Sequence, residues 1–246
     1  MEALKLDNIS VTFGRLAALQ DVSLSIEAGE RRGLIGPNGA GKTTVFNAIC
    51  GHLKPSVGDI YLFGKKATGL SPYKYVHLGL ARTFQRTNIF LNLSVLDNLL
   101  LALDPKEFSW QRFKNLRLST AENAEKLLEQ FNLSEKKHFL TKTLSYGEQR
   151  VLEIALALAL NPKILLLDEP AAGLSAGESG IVTHIVRNLP KDITVVIIEH
   201  DMEVIFDISE KITVLHHGQV IAEGTCAEIK ASPLVHDIYL GKKRRE

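Results

Sequence analysis

The run Gly36-Pro37-Asn38-Gly39-Ala40-Gly41-Lys42-Thr43-Thr44 constrains this chain more than any other feature. A short strand is expected before it, over residues 31–35, and a helix after it, over residues 45–52. Closely spaced glycines let a backbone curl until consecutive N–H groups converge on one point. A helix that begins there adds the positive end of its dipole. Strand, loop and helix together make an anion cradle, and the spacing G-x-x-x-x-G-K-[ST] suits the phosphates of a nucleotide. Lys42 is then placed to reach the β- and γ-phosphates and Thr43 to hold Mg²⁺. A glycine-rich turn without function could match the pattern, but it would not need a strand before it and a helix after it.

The rest of the chain reads as the frame such a loop requires. Residues 4–13 and 18–26 alternate apolar and polar, as half-buried antiparallel strands do. Strands are expected at 58–63 and 80–84, and helices at 94–103 and 121–131. A basic, irregular stretch, residues 104–120, lies between those helices. A long helix over 146–160 leads to the continuous apolar run Ile164-Leu-Leu-Leu167, the mark of a strand buried on both faces. Helix 178–189, strand 193–198, helix 202–208 and a hairpin over 212–220 follow. The alternation predicts an α/β fold with a mostly parallel sheet, an N-terminal antiparallel β subdomain and an inserted α-helical subdomain. The expected division is a core over residues 1–86 and 162–246, with the helical subdomain over 87–161.

Bulk properties exclude several classes. The 246 residues carry 29 Lys and Arg against 28 Asp and Glu, a formal net charge of +1, where a nucleic-acid binder is usually strongly basic. The two cysteines, Cys50 and Cys226, are expected to be reduced thiols. No signal peptide is read at Met1, and the longest apolar stretch, residues 151–167, is broken by Glu153, Asn161, Pro162 and Lys163, so no membrane span is expected. A membrane role must come through a partner. His216-His217 before Gly218 reads as a turn rather than a metal site, since no third ligand is apparent. Trp110 and Phe113 among Arg112, Lys114 and Arg117 give only a weak nucleic-acid signal. The tail Lys242-Lys-Arg-Arg245 reads as a solvated terminus, with an approach to anionic lipid as the lesser reading.

Two further stretches carry chemistry. The strand ending at Asp168-Glu169 delivers both carboxylates to the carboxyl edge of the sheet, where open α/β folds bind ligands. Asp168 is placed to bind Mg²⁺ through water, and Glu169 to take a proton from an attacking water, or at least to orient it. In Leu144-Ser-Tyr-Gly-Glu-Gln149, Ser145 sits where an N-cap belongs, and a helix N-terminus with a hydroxyl and the Gly147 N–H suits a γ-phosphate. Taken alone, that stretch reads more readily as a simple capped helix.

Together these motifs resemble the ATP-binding-cassette (ABC) transporter nucleotide-binding subunits over the full length of the chain. Leu144-Ser-Tyr-Gly-Glu-Gln149 is similar to the family's LSGGQ signature, with Tyr146 at the first glycine. The resemblance implies roles for Gln85 as the Q-loop residue that reaches the metal and the attacking water, for His200 as the switch histidine, and for Phe13 as the aromatic that stacks on adenine. It also implies that Ser145, Gly147 and Glu148 meet the nucleotide of a partner chain. A finer match, in Ala81-Arg-Thr-Phe-Gln85, Leu93-Ser-Val-Leu-Asp-Asn98, Asp168-Glu-Pro-Ala-Ala-Gly-Leu174, Ile198-Glu-His-Asp-Met202 and Ile238-Tyr-Leu-Gly241, is to the branched-chain amino-acid importer ATPases. One departure is Ser175, where this subfamily commonly has Asn and the wider family Asp, in a loop that crosses the dimer interface.

The implied working unit is a head-to-tail dimer with the same or a related ATPase chain, bound to transmembrane permease subunits. It would act indirectly with an extracytoplasmic substrate-binding protein, from the cytoplasmic face of the membrane, with ATP and Mg²⁺ and no nucleic acid. Alternatives are the ATPase of a urea or short-amide transporter, that of a lipid or lipopolysaccharide transporter, and a soluble ABC ATPase. A GTPase is disfavoured by the lack of an Asn-Lys-x-Asp motif.

Overall fold

The computed structural model describes residues 1–83, 89–103 and 118–240. Gln85, Trp110, Phe113 and the basic tail lie outside the described residues. In chain order the elements are β1 (Glu2–Phe13), β2 (Leu16–Glu27), β3 (Arg31–Ile35), α1 (Lys42–Ile49), β4 (Val57–Leu62), β5 (Lys65–Lys66), α2 (Pro72–His77), β6 (Leu80–Arg82), α3 (Val95–Leu103) and α4 (Leu118–Gln130). They continue with α5 (Tyr146–Ala159), β7 (Ile164–Asp168), α6 (Ala176–Arg187), β8 (Thr194–Ile198), α7 (Met202–Ile208), β9 (Lys211–His216), β10 (Gln219–Thr225), α8 (Cys226–Ala231) and α9 (Pro233–Leu240). The chain divides into two compact units. The first is Met1–Arg82, Lys163–Glu169 and Leu189–Glu246, and the second Thr83–Pro162 and Pro170–Asn188.

The first unit holds both sheets. The larger has the strand order β10-β9-β3-β8-β7-β6, and β9, β3, β8, β7 and β6 are parallel while β10 returns antiparallel. Every residue of β3, β7 and β8 is buried. That is why residues 164–167 read as unbroken apolar sequence rather than as alternation. The smaller sheet, ordered β2-β1-β4-β5, is antiparallel, and its buried face contributes Leu4, Leu6, Ile9, Leu24 and Ile26 to the core that Phe46 and Ile49 of α1 complete.

Arg32 sits inside β3 almost wholly buried, and it is fully engaged. Nε donates to Glu30 Oε1 at 2.5 Å and Nη1 to Thr213 Oγ1 at 2.9 Å; Nη1 also lies 3.0 Å from Glu223 Oε1. Nη2 donates to the Ser25 carbonyl at 3.1 Å. A buried charge is tolerated only when partnered in this way, and here the partners link β3 to β2, β9 and β10.

The second unit is helical. Val95 and Leu99 of α3, Ala124 and Leu128 of α4, and Val151, Leu152 and Ala155 of α5 are buried. Asn98 acts as its polar hub: its amide donates to the carbonyls of Phe90 and Ser94 and to Thr141 Oγ1, and accepts from the Phe90 N–H.

The structure shifts several expected bounds. The helix after the phosphate-binding run begins at Lys42 rather than residue 45, because Gly41 already turns the chain. Helix α6 begins at Ala176 rather than 178, because Ser175 caps it. Strand β10 extends to Thr225, and α2, α8 and α9 had no counterpart in the periodicity reading.

Candidate functional site

Strands β3, β8 and β7 are parallel neighbours, so their carboxyl ends at Ile35, Ile198 and Asp168 share one edge of the sheet. The loop from Gly36 to Gly41 leaves β3 at that edge and turns into α1. Gly41 has φ 106°, a left-handed value, and a Cβ there would sit 2.8 Å from Leu19 Cδ2 and 3.0 Å from the Ala18 carbonyl oxygen. Only glycine fits. No side chain caps the first turn of α1. Its leading N–H groups are therefore left for an external acceptor, which is what an anion site at a helix N-terminus requires.

Lys42 Nζ donates to the carbonyls of Gly36 at 2.6 Å and Pro37 at 3.1 Å, folding back over the loop. Burial lowers its pKa, while the charges of Glu169 and then Asp168 act in the opposite direction. Thr43 is exposed and Thr44 half-buried at the start of the helix.

At the end of β7, Asp168 is buried and its Oδ2 accepts from Arg82 Nη2 at 2.8 Å. Glu169 has φ 48°, left-handed for a residue with a side chain, and its N–H donates to the Ile198 carbonyl at 2.9 Å. Such a conformation costs about 1–3 kcal/mol and persists where surrounding structure enforces it, often at functional sites. His200 follows β8; its Nδ1 lies 3.9 Å from Glu169 Oε1 and 3.8 Å from Glu199 Oε2. Asp201 accepts from the N–H groups of Glu203 and Val204 and so caps α7, which holds the turn carrying His200.

A cleft of about 520 Å³ opens over the loop, and Phe13, Asn38, Lys42, Thr43, Glu169 and His217 are among its lining residues. Phe13 is 53% exposed, so it is not part of the core. Gly218 N–H donates to the Ala40 carbonyl at 2.9 Å, and its own carbonyl accepts from Gln20 N–H at 2.8 Å. The hairpin between β9 and β10 is thereby pinned to the loop, and His217 comes to the cleft wall. The donor set fits a nucleotide with a hard cation: the uncapped first turn of α1 and a lysine for phosphate, and hydroxyl and carboxylate oxygens at Thr43 and Asp168 of the kind Mg²⁺ prefers.

The second unit presents a differently finished helix start. Ser145 Oγ accepts from Glu148 N–H at 3.2 Å and Glu148 Oε2 accepts from Ser145 N–H at 3.0 Å, a complete capping box on α5. Lys136 pairs with Glu148. Gly147 N–H donates to Glu178 Oε1 at 3.2 Å, and a Cβ at Gly147 would press on the Glu178 side chain at 2.8 Å. Glu178 belongs to the capping box of α6, whose N-cap is Ser175. That is what the unusual serine does: its hydroxyl and N–H both donate to Glu178 Oε2, at 2.8 and 3.1 Å.

The sequence reading did not single out Arg82 or His217 for this edge. Arg82 lay within a quoted motif but had no assigned task, and its signal was a lone cation ending a short apolar strand. His217 was read as a turn residue, which it is, with φ 47°.

Comparison with known proteins fits this geometry. The chain matches the ABC transporter family over residues 19–172 and belongs to it. It is an α/β ATP-binding cassette, an ATPase of that family. It is 37% identical to the high-affinity branched-chain amino acid transport ATP-binding protein BraF of Pseudomonas aeruginosa, covering 97% of this chain and 98% of that one. It is 37% identical, over the same shares, to LivG of Escherichia coli K12, which carries the same description. Among solved structures, the ADP conformation of an ATP-binding cassette of an ABC transporter superposes with a TM-score of 0.88 at 36% identity, covering 98% of this chain and 100% of that one. No helix of the described residues is long and apolar enough to cross a membrane.

Proposed function

We propose that this cassette energises a membrane importer of branched-chain or other hydrophobic amino acids, working as one of a head-to-tail pair. The observation that carries the nucleotide half of this reading is the uncapped start of α1 beneath the Gly36–Thr44 cradle, with Lys42 beside it. The substrate class rests on the descriptions of relatives similar over nearly the whole chain. In this reading Phe13 stacks on adenine, the loop N–H groups and Lys42 hold the phosphates, and Glu169 accepts the proton of the attacking water. His200 orients Glu169 and the γ-phosphate. Thr43, Gln85 and, through water, Asp168 would hold Mg²⁺, which supplies charge neutralisation on the phosphates. Ser145, Gly147 and Glu148 act on nucleotide held by the partner chain.

A permease docks on the second unit. Phe90 and Leu91 are 62% and 46% exposed, and Phe139 and Leu140 53% and 42%. Backbone hydrogen bonds from Lys142 N–H to the Leu91 carbonyl and from Val95 N–H to the Phe139 carbonyl bring these segments together. Exposed apolar residues grouped in this way mark an interaction surface. The chain then sits on the cytoplasmic face of the membrane through that contact.

The test is uptake of radiolabelled leucine by cells whose chromosomal copy carries Lys42→Ala. Loss of leucine uptake, with an unrelated solute taken up normally, is the expected result. Unchanged uptake of every branched-chain amino acid would remove the substrate assignment.

A further inference from the structure

Glu178 lies in the first turn of α6, yet its carboxylate serves a second helix as well. Oε2 accepts from the N–H and the hydroxyl of Ser175, at 3.1 and 2.8 Å. Oε1 accepts from the Gly147 N–H in the first turn of α5, at 3.2 Å. A Cβ built on Gly147 would have three Glu178 atoms as its nearest neighbours, Cγ and Oε1 at 2.8 Å and Cδ at 2.9 Å. Gly147 is buried, whereas Ser145 two residues before it is exposed. Bonds led by those from Ser175 hold the Glu178 carboxyl below the ordinary glutamate range, so it is an anion there. A negative oxygen therefore already rests on the start of α5, against the glycine that lets it come so close. The segment leading to α6 is laid along the same helix. Arg150 Nε of α5 donates to the Pro170 carbonyl at 3.2 Å, and a Cβ on Gly173 would lie 3.5 Å from Tyr146 Cε1.

We propose that Glu178 is a resident anion on the first turn of α5: its carboxylate holds the Gly147 N–H that a partner chain's γ-phosphate would take, and it must leave before the shared site closes. The proposal rests on reading Ser145 and Gly147 as groups that meet nucleotide held by a partner. A carboxylate oxygen and a phosphate oxygen are the same kind of charged acceptor, so they compete for one donor. They cannot share it, because two anions at hydrogen-bond distance from a single N–H repel each other. Only the Glu178 side chain has to turn away, and the Ser175 donors give it a place to stay at the start of α6. A nucleotide without a γ-phosphate brings no rival acceptor, so the carboxylate remains where it is. Displacement therefore raises the ATP concentration at which the pair closes and ties closure to the triphosphate.

The experiment is steady-state ATP hydrolysis by the complex, purified from its own cells through a tag on this chain together with the subunits that accompany it. The half-saturating ATP concentration and kcat are read separately. Glu178→Gln keeps the shape and removes the charge, so the resident acceptor is weaker. Its half-saturating ATP concentration is expected to fall about threefold, with kcat within about twofold of wild type. Glu178→Asp keeps the charge but is one methylene shorter and loses its reach to Gly147, and its value is expected to fall about twofold. A merely structural Glu178 would do the reverse: loosening the first turn of α5 would raise the half-saturating concentration or lower kcat. A Glu178→Gln value equal to or above wild type overturns the proposal. A Glu178→Asp value equal to wild type also overturns it, because the effect would then belong to the charge and not to the contact. Should Glu178→Gln not assemble, Glu178→Asp decides alone by the same criterion. Failure of the underlying reading shows separately, as a Ser145→Arg complex that hydrolyses ATP at the wild-type rate.

Discussion

Helices α1 and α5 each have a glycine at their start, Gly41 as the N-cap of one and Gly147 in the first turn of the other, yet those first turns are finished in opposite ways. Helix α1 has Gly41 before it and no side-chain cap, so its leading N–H groups look outward for an acceptor. Helix α5 has Ser145 and Glu148 in a reciprocal box, and Glu178 on the Gly147 N–H. The difference teaches what each can do alone. An unfinished helix start gains from an anion at once. A finished one must exchange its own acceptors for a phosphate, which brings a smaller net gain. In this account the chain binds nucleotide through α1 by itself, and α5 contributes only when a partner brings a phosphate to it.

The largest expected effect separates binding from chemistry at the α1 end. Glu169→Gln keeps the shape of the residue and removes the base. Turnover should fall by about 10²–10⁴-fold while ATP binding stays near wild type. Steady-state hydrolysis and calorimetry on the same preparation check this, and near-normal turnover would return Glu169 to a spectator.

A smaller effect is expected at the cleft wall. Phe13→Ala should weaken nucleotide binding by about 1–3 kcal/mol, by analogy with aromatic stacking on bases. Stacking tolerates base identity, so GTP should bind wild type as well, and its affinity should fall in parallel. An ATP affinity untouched by the change would leave Phe13 without a part in binding.

The smallest effect belongs to the finished helix. Hydrogen bonds from Ser175, helped by Gly147, hold the Glu178 carboxyl below the ordinary glutamate range. A carboxylate with a depressed folded-state pKa stabilises the fold above its unfolded value and loses that contribution as pH falls through the folded one. Wild type should therefore lose melting temperature as pH falls through and below the ordinary glutamate range in a way that Glu178→Gln, which can still cap α6, does not. Parallel melting curves for the two proteins across that window would contradict the assignment.

These regions also differ in how far the amino-acid sequence discloses them. The buried strands β7 and β8 and the long helix α5 were legible because apolar runs and helical periodicity come directly from what each element buries. The phosphate loop was legible because its glycines answer a backbone requirement. Helices α2, α8 and α9, six to eight residues each, were not read from the periodicity. Arg82 was illegible as a site residue because its meaning lies in partners distant in sequence: Asp168 comes from another strand and Asn47 from another helix. Ser175 could be seen to depart from the subfamily pattern, but only its bonds to Glu178 show that it caps α6.

The most direct test of the contrast between the two helix starts places Lys42→Ala beside Ser145→Arg and measures ATP binding by the isolated chain, then hydrolysis. Ser145→Arg is preferred to a change at Gly147, where any Cβ would press on Glu178. Lys42→Ala should lose ATP binding. Ser145→Arg should bind ATP as wild type does, at a cost of about 1 kcal/mol in stability from the lost cap, and should fail to hydrolyse it. A Ser145→Arg protein that loses ATP binding as Lys42→Ala does, or one that hydrolyses at the wild-type rate, would contradict the account.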